Sequence, residues 1–474
     1  MHFNFIWVLL EKFGTSLLSV GMFFIYAYLL SPSEMGIAVM ILAITQFLST
    51  MISTLFEDAM VQLDKITNKH INTAFCSATI LSVICALLTI SGFTYFTPHI
   101  AHYNTLALTT FASLEIILTN IGLTYVAQLR RDGNFKVLAL RVIIGRICGA
   151  ICGLVAILSG LGAWAIIIQS VIGTALQTII LIAAVRNIPT LTLDIPTLKY
   201  YISFGSKLSL KRLQWDIIIK AMPIIAGITS GTAAAGHLGF AWRIVELFRS
   251  AIVSGLMNYL LPHFSRIQKS KNRMAQEFIS TTSLVVFFSS PIFLGLMVTA
   301  PLIITTLFEP KWYPTIPIIQ LFCISALLSC YRVTATISMT ACGHPEKMLH
   351  EGMIVTSISM LTMFLIGHIG PWILPIIFIL QIVTLLPISI RIINDLIGMT
   401  WKEQLFPTMK YATPSIMMAL ILYLLQILFP THPIINMLHF QIPVGITIFT
   451  LITLVFYQKE ITSWYASLTM KDNP

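Results

Sequence analysis

Apolar residues gather in long unbroken runs along this chain. An α-helix needs about 20 mostly apolar residues to cross the hydrocarbon of a bilayer. Fourteen runs meet that length or approach it: 13–30, 36–60, 71–96, 104–127, 137–158, 162–185, 203–229, 236–262, 278–306, 314–341, 348–368, 371–390, 408–429 and 441–458. Proline or glycine punctuates many of them, as at Ser31-Pro32, Thr97-Pro98, Gly367–Pro371 and Phe429-Pro430, where a helix stops or turns. The pattern predicts an all-α integral membrane fold with about fourteen transmembrane helices.

Polar positions between the runs set the orientation. With the N-terminus inside, eighteen of the 28 lysines and arginines fall in cytoplasmic segments, Lys311 alone falls in the outer loops, and nine lie within the spans. An excess of basic residues marks cytoplasmic loops, so both termini are expected in the cytoplasm. The loops are short, and the longest, about 186–202 and 263–277, are too small to be domains. Activity is therefore expected within the membrane or at its faces.

Composition agrees. The chain has 474 residues, of which 57% are hydrophobic and 10% charged, against about 25% charged in soluble domains. Its formal net charge is +10, read as topology and cavity lining; no basic cluster sits in a soluble domain able to dock a nucleic acid. The seven cysteines, with no Cys-x-x-Cys among them, read as small apolar filler rather than a disulfide framework or zinc site. Neither His-Glu-x-x-His nor a Walker loop occurs, so no metal and no nucleotide cofactor is expected. Glu11 and Lys12 follow the first apolar residues with no small-residue cleavage site, so the first span is expected to be retained.

The stretch Lys207–Arg249 departs from this pattern. Its two runs carry Lys207, Lys211, Arg212, Asp216, Lys220, Arg243, Glu246 and Arg249. Charge at membrane depth is expensive and faces a bundle interior, a partner or a water-filled cavity. Six basic residues against two acidic ones suggest a path for something anionic. If the runs form an antiparallel hairpin turning at Ser230–Ala235, Lys220 comes level with Glu246 and Asp216 with Arg249, each within roughly 2 Å at the helical rise. Arg141, Arg146 and Arg332 are further candidate cavity cations. Glu115 is expected near the middle of its span and roughly level with Arg146, while Glu57 and Asp58 read as a helix end near the headgroups. Asp58, Glu115, Asp216 and Glu246 are candidates for coupling to a proton or sodium gradient, since burial and neighbouring charge change proton affinity.

Two echoes join equivalent positions of two six-helix units: Phe13-Gly14-Thr15-Ser16-Leu17 with Phe204-Gly205-Ser206-Lys207-Leu208, and Gly133-Asn134-Phe135-Lys136 with Gly343-His344-Pro345-Glu346-Lys347. Other short texts follow in order: Tyr28-Leu29-Leu30-Ser31-Pro32-Ser33-Glu34-Met35-Gly36, Gln128-Leu129-Arg130-Arg131, Gly160-Leu161-Gly162-Ala163-Trp164-Ala165, Leu238-Gly239-Phe240-Ala241-Trp242-Arg243-Ile244, Pro262-His263-Phe264-Ser265-Arg266 and Phe308-Glu309-Pro310-Lys311-Trp312. Over about residues 5–400 the chain resembles the polysaccharide transporter family of lipid-linked oligosaccharide and O-antigen flippases, in the multidrug/oligosaccharidyl-lipid/polysaccharide exporter superfamily. Tyr28 stands where that family often has arginine, and Asp216 is out of register with its aspartate near Met222. Only Arg243 carries over directly, as a cavity charge.

The resemblance implies two pseudo-symmetric six-helix lobes, 1–190 and 191–395, around a central cavity, followed by two further spans and a cytoplasmic tail in 396–474. It implies a non-enzymatic flippase of a bacterial inner membrane. Such a protein would move undecaprenyl-pyrophosphate-linked oligosaccharide to the periplasmic leaflet by alternating access, for lipopolysaccharide or exopolysaccharide export. Membrane lipids would surround it, with a polymerase and chain-length machinery as further partners. An antiporter for multidrug or small-solute export would call for an acidic cavity if its drugs were cationic. A polymerase or ligase would carry a large periplasmic loop.

Overall fold

The computed structural model describes residues 2–63, 65–96, 104–186, 189–343, 347–429 and 437–469. Helices dominate and no β-strand occurs among them. Fifteen α-helices follow in order: α1 (His2–Leu29), α2 (Pro32–Gln62), α3 (Asn68–Phe96), α4 (Thr105–Arg131), α5 (Phe135–Leu158), α6 (Trp164–Val185), α7 (Ile195–Ser230), α8 (Thr232–Ile267), α9 (Lys271–Leu307), α10 (Thr315–Ala341), α11 (Lys347–Ile366), α12 (Ile373–Ile397), α13 (Trp401–Lys410), α14 (Thr413–Leu428) and α15 (Leu438–Thr469). Among the described residues ten helices are long and apolar enough to cross a membrane, or eleven if α13 and α14, which meet at a 49° bend, form one span. The protein is thus a multi-pass membrane protein. The count of fourteen is compatible with this set: α1, α7, α8 and the bent pair lie outside the ten, and α7 and α8 hold 36 residues each.

Local chemistry sets the helix boundaries where sequence punctuation marks them. Ser31 accepts a hydrogen bond from the Glu34 N–H at 3.2 Å, and the Ser31 N–H donates to Glu34 Oε2 at 2.8 Å. This capping box satisfies two of the orphan donors at the start of α2, and Pro32, which lacks a donor, occupies the first turn. At the other end of α2 the Arg131 guanidinium donates to the carbonyls of Met60, Val61 and Leu63. A cation suits the negative end of the helix. Between α11 and α12, a 3₁₀ turn at Gly367–Ile369 and Gly370, with φ 152°, make the break read at Gly367–Pro371.

Contacts divide the chain into two compact units, one of Met1–Gly239 with Met360–Pro371, the other of Phe240–Ser359 with Trp372–Pro474. In the first, α2 and α7 run antiparallel. Gly205 of α7 faces the Leu55 carbonyl, Lys220 bonds Gln46, and Gly227 faces Met40, so one index falls as the other rises. The α5–α6 seam rests on Gly145, Gly149 and Gly153, four residues apart on one face of α5. A Cβ on Gly149 would lie 2.5 Å from the Gln169 carbonyl oxygen and 3.1 Å from Gly173 Cα. Lipid tails supply no hydrophobic drive between membrane helices, and small residues allow the backbones the close approach that dispersion requires.

The second unit packs α9 against α10, α12 and α14. Phe278, Phe293, Phe322 and Phe378 are fully buried, and Trp312 stacks on Phe240 at 4.3 Å between ring centroids. Two hydroxyl pairs bridge the helices, Thr282 to Thr334 and Ser290 to Ser415, each at 2.9 Å.

Because a Cβ at Gly149 would lie 2.5 Å from the facing Gln169 carbonyl oxygen, the Gly149→Ala substitution is expected to cost about 1–3 kcal/mol, the usual range for overpacking. Thermal unfolding of the purified protein in detergent checks it. Unchanged stability would mean that the seam yields.

Candidate functional site

Some of the charges that the sequence strands among apolar residues meet in two groups, one in each unit. In the first, Glu115 lies near the middle of α4 and is only 7% exposed. Four helices supply its surroundings. Ser170 of α6 and Gln46 of α2 hydrogen-bond its carboxylate, and the positive charges acting on it are Arg146 of α5 and Lys220 of α7. Lys220 Nζ donates to Gln46 Oε1 at 2.8 Å. Gln46 therefore works at both ends, its oxygen toward the ammonium and its amide N–H toward the carboxylate. Glu115 Oε2 has no hydrogen-bond partner among the described residues. Two cations, from α5 and α7, thus act on one carboxylate. The arrangement can compensate an anionic group by charge-assisted hydrogen bonds inside a low-dielectric bundle.

Glu115 and Arg146, expected at roughly the same depth, interact electrostatically. Arg141 is half-buried on α5, one turn and a half before Arg146. Asp216 is half-buried on α7, four residues before Lys220. Lys207, Lys211 and Arg212 also belong to α7, but their side chains lie outside the described residues. Asp58 is half-buried near the end of α2. Its neighbour Glu57 makes an ion pair with Arg130 at 2.7 Å, tying the end of α2 to the end of α4.

In the second unit α8 carries Arg243, Glu246 and Arg249. Arg249 grips Glu246 with two hydrogen bonds, at 2.6 and 2.7 Å. The hairpin argument set Glu246 level with Lys220; the ion pair that Glu246 makes is with the arginine three residues on, which shares its face of the helix. The Arg249 guanidinium carbon lies 5.9 Å from the centroid of the Trp242 ring, within cation–π range. Trp242 in turn meets Phe322 of α10 and Phe378 of α12 edge to face, at 5.2 and 6.3 Å. Arg243 is exposed on α8. Arg332 is half-buried on α10, and its Nε and the neighbouring Tyr331 hydroxyl have no hydrogen-bond partner among the described residues.

Reasoning from charge alone passed over Gln46 and Ser170, which connect the first cluster. Their signal was an amide and a hydroxyl inside runs long enough to span. It also passed over Tyr26 of α1, whose hydroxyl donates to the Gln169 side-chain carbonyl on α6.

These features define a multi-pass helical bundle with ionised groups held among its helices. The fold is similar to that of the lipid II flippase MurJ in an inward closed conformation, with a TM-score of 0.74 over 96% of this chain and 100% of that one, at 14% identity. It is also similar to the inward-facing conformation of a multidrug resistance MATE family transporter of the MOP superfamily, with a TM-score of 0.61 over 80% of this chain and 95% of that one, at 13% identity. Residues 25–317 match the family described as polysaccharide biosynthesis protein, and the chain belongs to that family. Among curated relatives, teichuronic acid biosynthesis protein TuaB of Bacillus subtilis is 21% identical over 60% of this chain and 59% of its own length. Lipopolysaccharide biosynthesis protein WzxC of Escherichia coli is 22% identical over 46% and 44%. The chain spans about half the length of the curated relatives it matches.

If Glu115 and Lys220 act as one network, Glu115→Gln and Lys220→Met are expected to be non-additive, with a coupling of about 0.5–3 kcal/mol, the range for residues sharing a hydrogen-bond network. The double variant should be more stable than the sum of the single losses. Thermal unfolding of the three variants measures this, and simple additivity would separate the two residues.

Proposed function

We propose that this protein is a flippase that carries undecaprenyl-pyrophosphate-linked oligosaccharide from the cytoplasmic to the periplasmic leaflet of a bacterial inner membrane, with both termini in the cytoplasm. The observation that carries the reading is the pair of cations, Arg146 and Lys220, that act on the buried Glu115 among apolar helices. A pyrophosphate needs such compensation once it leaves water, and a neutral or cationic cargo does not. Membership of the polysaccharide biosynthesis protein family, and a fold shared with a protein named as a lipid II flippase, support the same direction.

On this reading the protein performs no bond-breaking chemistry. It offers cations to the pyrophosphate and changes which leaflet they face, and the sugar follows. Lys207, Lys211, Arg212, Arg243, Arg249 and Arg332 serve as further cations along the path. Asp58, Glu115, Asp216 and Glu246 are the groups through which protons or sodium ions would drive it. A polymerase and chain-length machinery would take the product on the outer face.

The test is leaflet-resolved detection of the lipid-linked sugar in a strain lacking the gene, complemented with the wild type, Arg146→Gln or Lys220→Met. The empty strain should accumulate the lipid-linked unit on the inner leaflet, and each variant should lower outward transfer tenfold or more, since a hydrogen bond to a charged group contributes about 1.5–3 kcal/mol. Single units still reaching the outer face in the empty strain would point instead to a polymerase.

A further inference from the structure

The first unit contains two sets of glycines that behave oppositely. Those of α5 at the α6 seam are pressed against backbone. Gly14 and Gly21 of α1 meet nothing: a Cβ built on either would find no heavy atom within 4 Å. Glycine inside a helix costs roughly 0.5–1 kcal/mol relative to alanine, and no close helix contact accounts for it at these two positions. They open instead onto a cavity of about 470 Å³ between α1 and α5, lined by Gly14, Leu18 and Gly21 on one wall and by Ile143, Arg146 and Ile147 on the other. That volume falls within the roughly 300–1,000 Å³ of small-ligand sites.

The shape suits a chain. Gly14, Leu18, Gly21 and Ile25 recur at i, i+4, i+7 and i+11, one face of α1, and with Ile25 at the far end the groove follows α1 for about 16 Å at the helical rise. The walls are apolar except for Thr15 and Arg146. That arginine lines the groove and also acts on Glu115 inside the bundle, so it stands where the apolar slot meets the polar cluster. A ligand complementary to both has an anionic head and a long hydrocarbon chain. Depth separates the possible lipids. Arg146 lies eleven residues into α5, about 16 Å from its start, near the midplane of a hydrocarbon layer about 30 Å thick. A phospholipid whose phosphate stays in the headgroup layer does not reach it. A diphosphate drawn into the bundle does, and its chain must then lie alongside.

We infer that the α1–α5 groove seats the prenyl chain of the polyprenyl diphosphate carrier, with Arg146 at the junction of chain and diphosphate. This rests on the flippase reading and adds to it a chain-binding site within the first unit.

The experiment uses the full-length protein in phosphatidylcholine nanodiscs, with undecaprenyl diphosphate as the probe, and compares the wild type with Gly21→Trp, which fills the groove from α1, and Ile143→Trp, which fills it from α5. Gly92→Ala on α3, away from the groove, serves as the folding control, because a methyl group there also enters open space. Expected are wild-type affinity for Gly92→Ala, a loss of tenfold or more for both tryptophan variants, and crosslinking of a diazirine placed in the prenyl chain to peptides spanning 14–25 or 143–147. If a tryptophan variant does not fold, the other variant and the crosslinked peptides decide. Full binding by both tryptophan variants, or crosslinks elsewhere, overturns the groove while leaving flipping intact. Equal labelling of these peptides by a diazirine phosphatidylglycerol that competes with the probe also overturns it, as a slot for any acyl chain. A wild type that fails to bind undecaprenyl diphosphate removes the flippase reading itself.

Discussion

A carboxylate among apolar helices has to be compensated, and much of the first unit is arranged around that requirement. Glu115 cannot be solvated where α4 places it, so the neighbouring helices bring donors to it. The neutral donors come from α2 and α6 and the cations from α5 and α7. Each of those helices must approach α4 or one of its neighbours closely enough for a side chain to reach. The glycine seam of α5 against α6, and Gly205 and Gly227 of α7 along α2, allow that approach. Electrostatics at the centre and small residues at the seams thus belong to one arrangement: loosen a seam, and a buried charge loses a partner.

The second unit meets a similar demand with fewer helices. Glu246 and Arg249 pair within α8 and rest on Trp242, which packs on α10 and α12. A pair one turn apart holds together without help from another helix, so it can persist through rearrangements that would break contacts between helices. The Glu115 centre has no such independence, since its partners come from four helices. A displacement of α7, which carries Lys220 and, three residues later, Pro223 inside the helix, would alter the compensation directly. That difference makes the first cluster the more sensitive to conformation.

The helix set was legible in the sequence because a bilayer imposes length and apolarity on every crossing segment, and both can be read residue by residue. The break at Gly367–Pro371 and the start of α2 at Ser31-Pro32 were legible because glycine and proline act through local backbone geometry. Pairings were much less so. Counting along a hairpin gives depth but not azimuth, and azimuth brought Glu246 to Arg249. Gln46 carries no charge, and nothing in α2 alone marks it as the link between Lys220 and Glu115. The antiparallel packing of α2 on α7, which brings Gln46 and Lys220 together, depends on contacts between residues far apart in the chain.

Glycine usage in the first unit argues that α1 is built to a different rule from α5. On α5 the absent side chains are replaced by the backbone of α6, so the space is occupied and the contact stabilises the bundle. On α1 nothing in the chain replaces them. Open space along a helix that faces hydrocarbon fills with hydrocarbon, and what fills it is selected by what lies at its edge. Here the edge is a guanidinium that also belongs to the polar centre. With a neutral lipid in the groove, Arg146 shares the Glu115 carboxylate with Lys220, whereas a chain bearing phosphate brings a further anion to it. On the flippase reading, selection for a phosphorylated chain requires no contact with the sugar, which would leave the sugar free to vary between substrates carried on the same lipid.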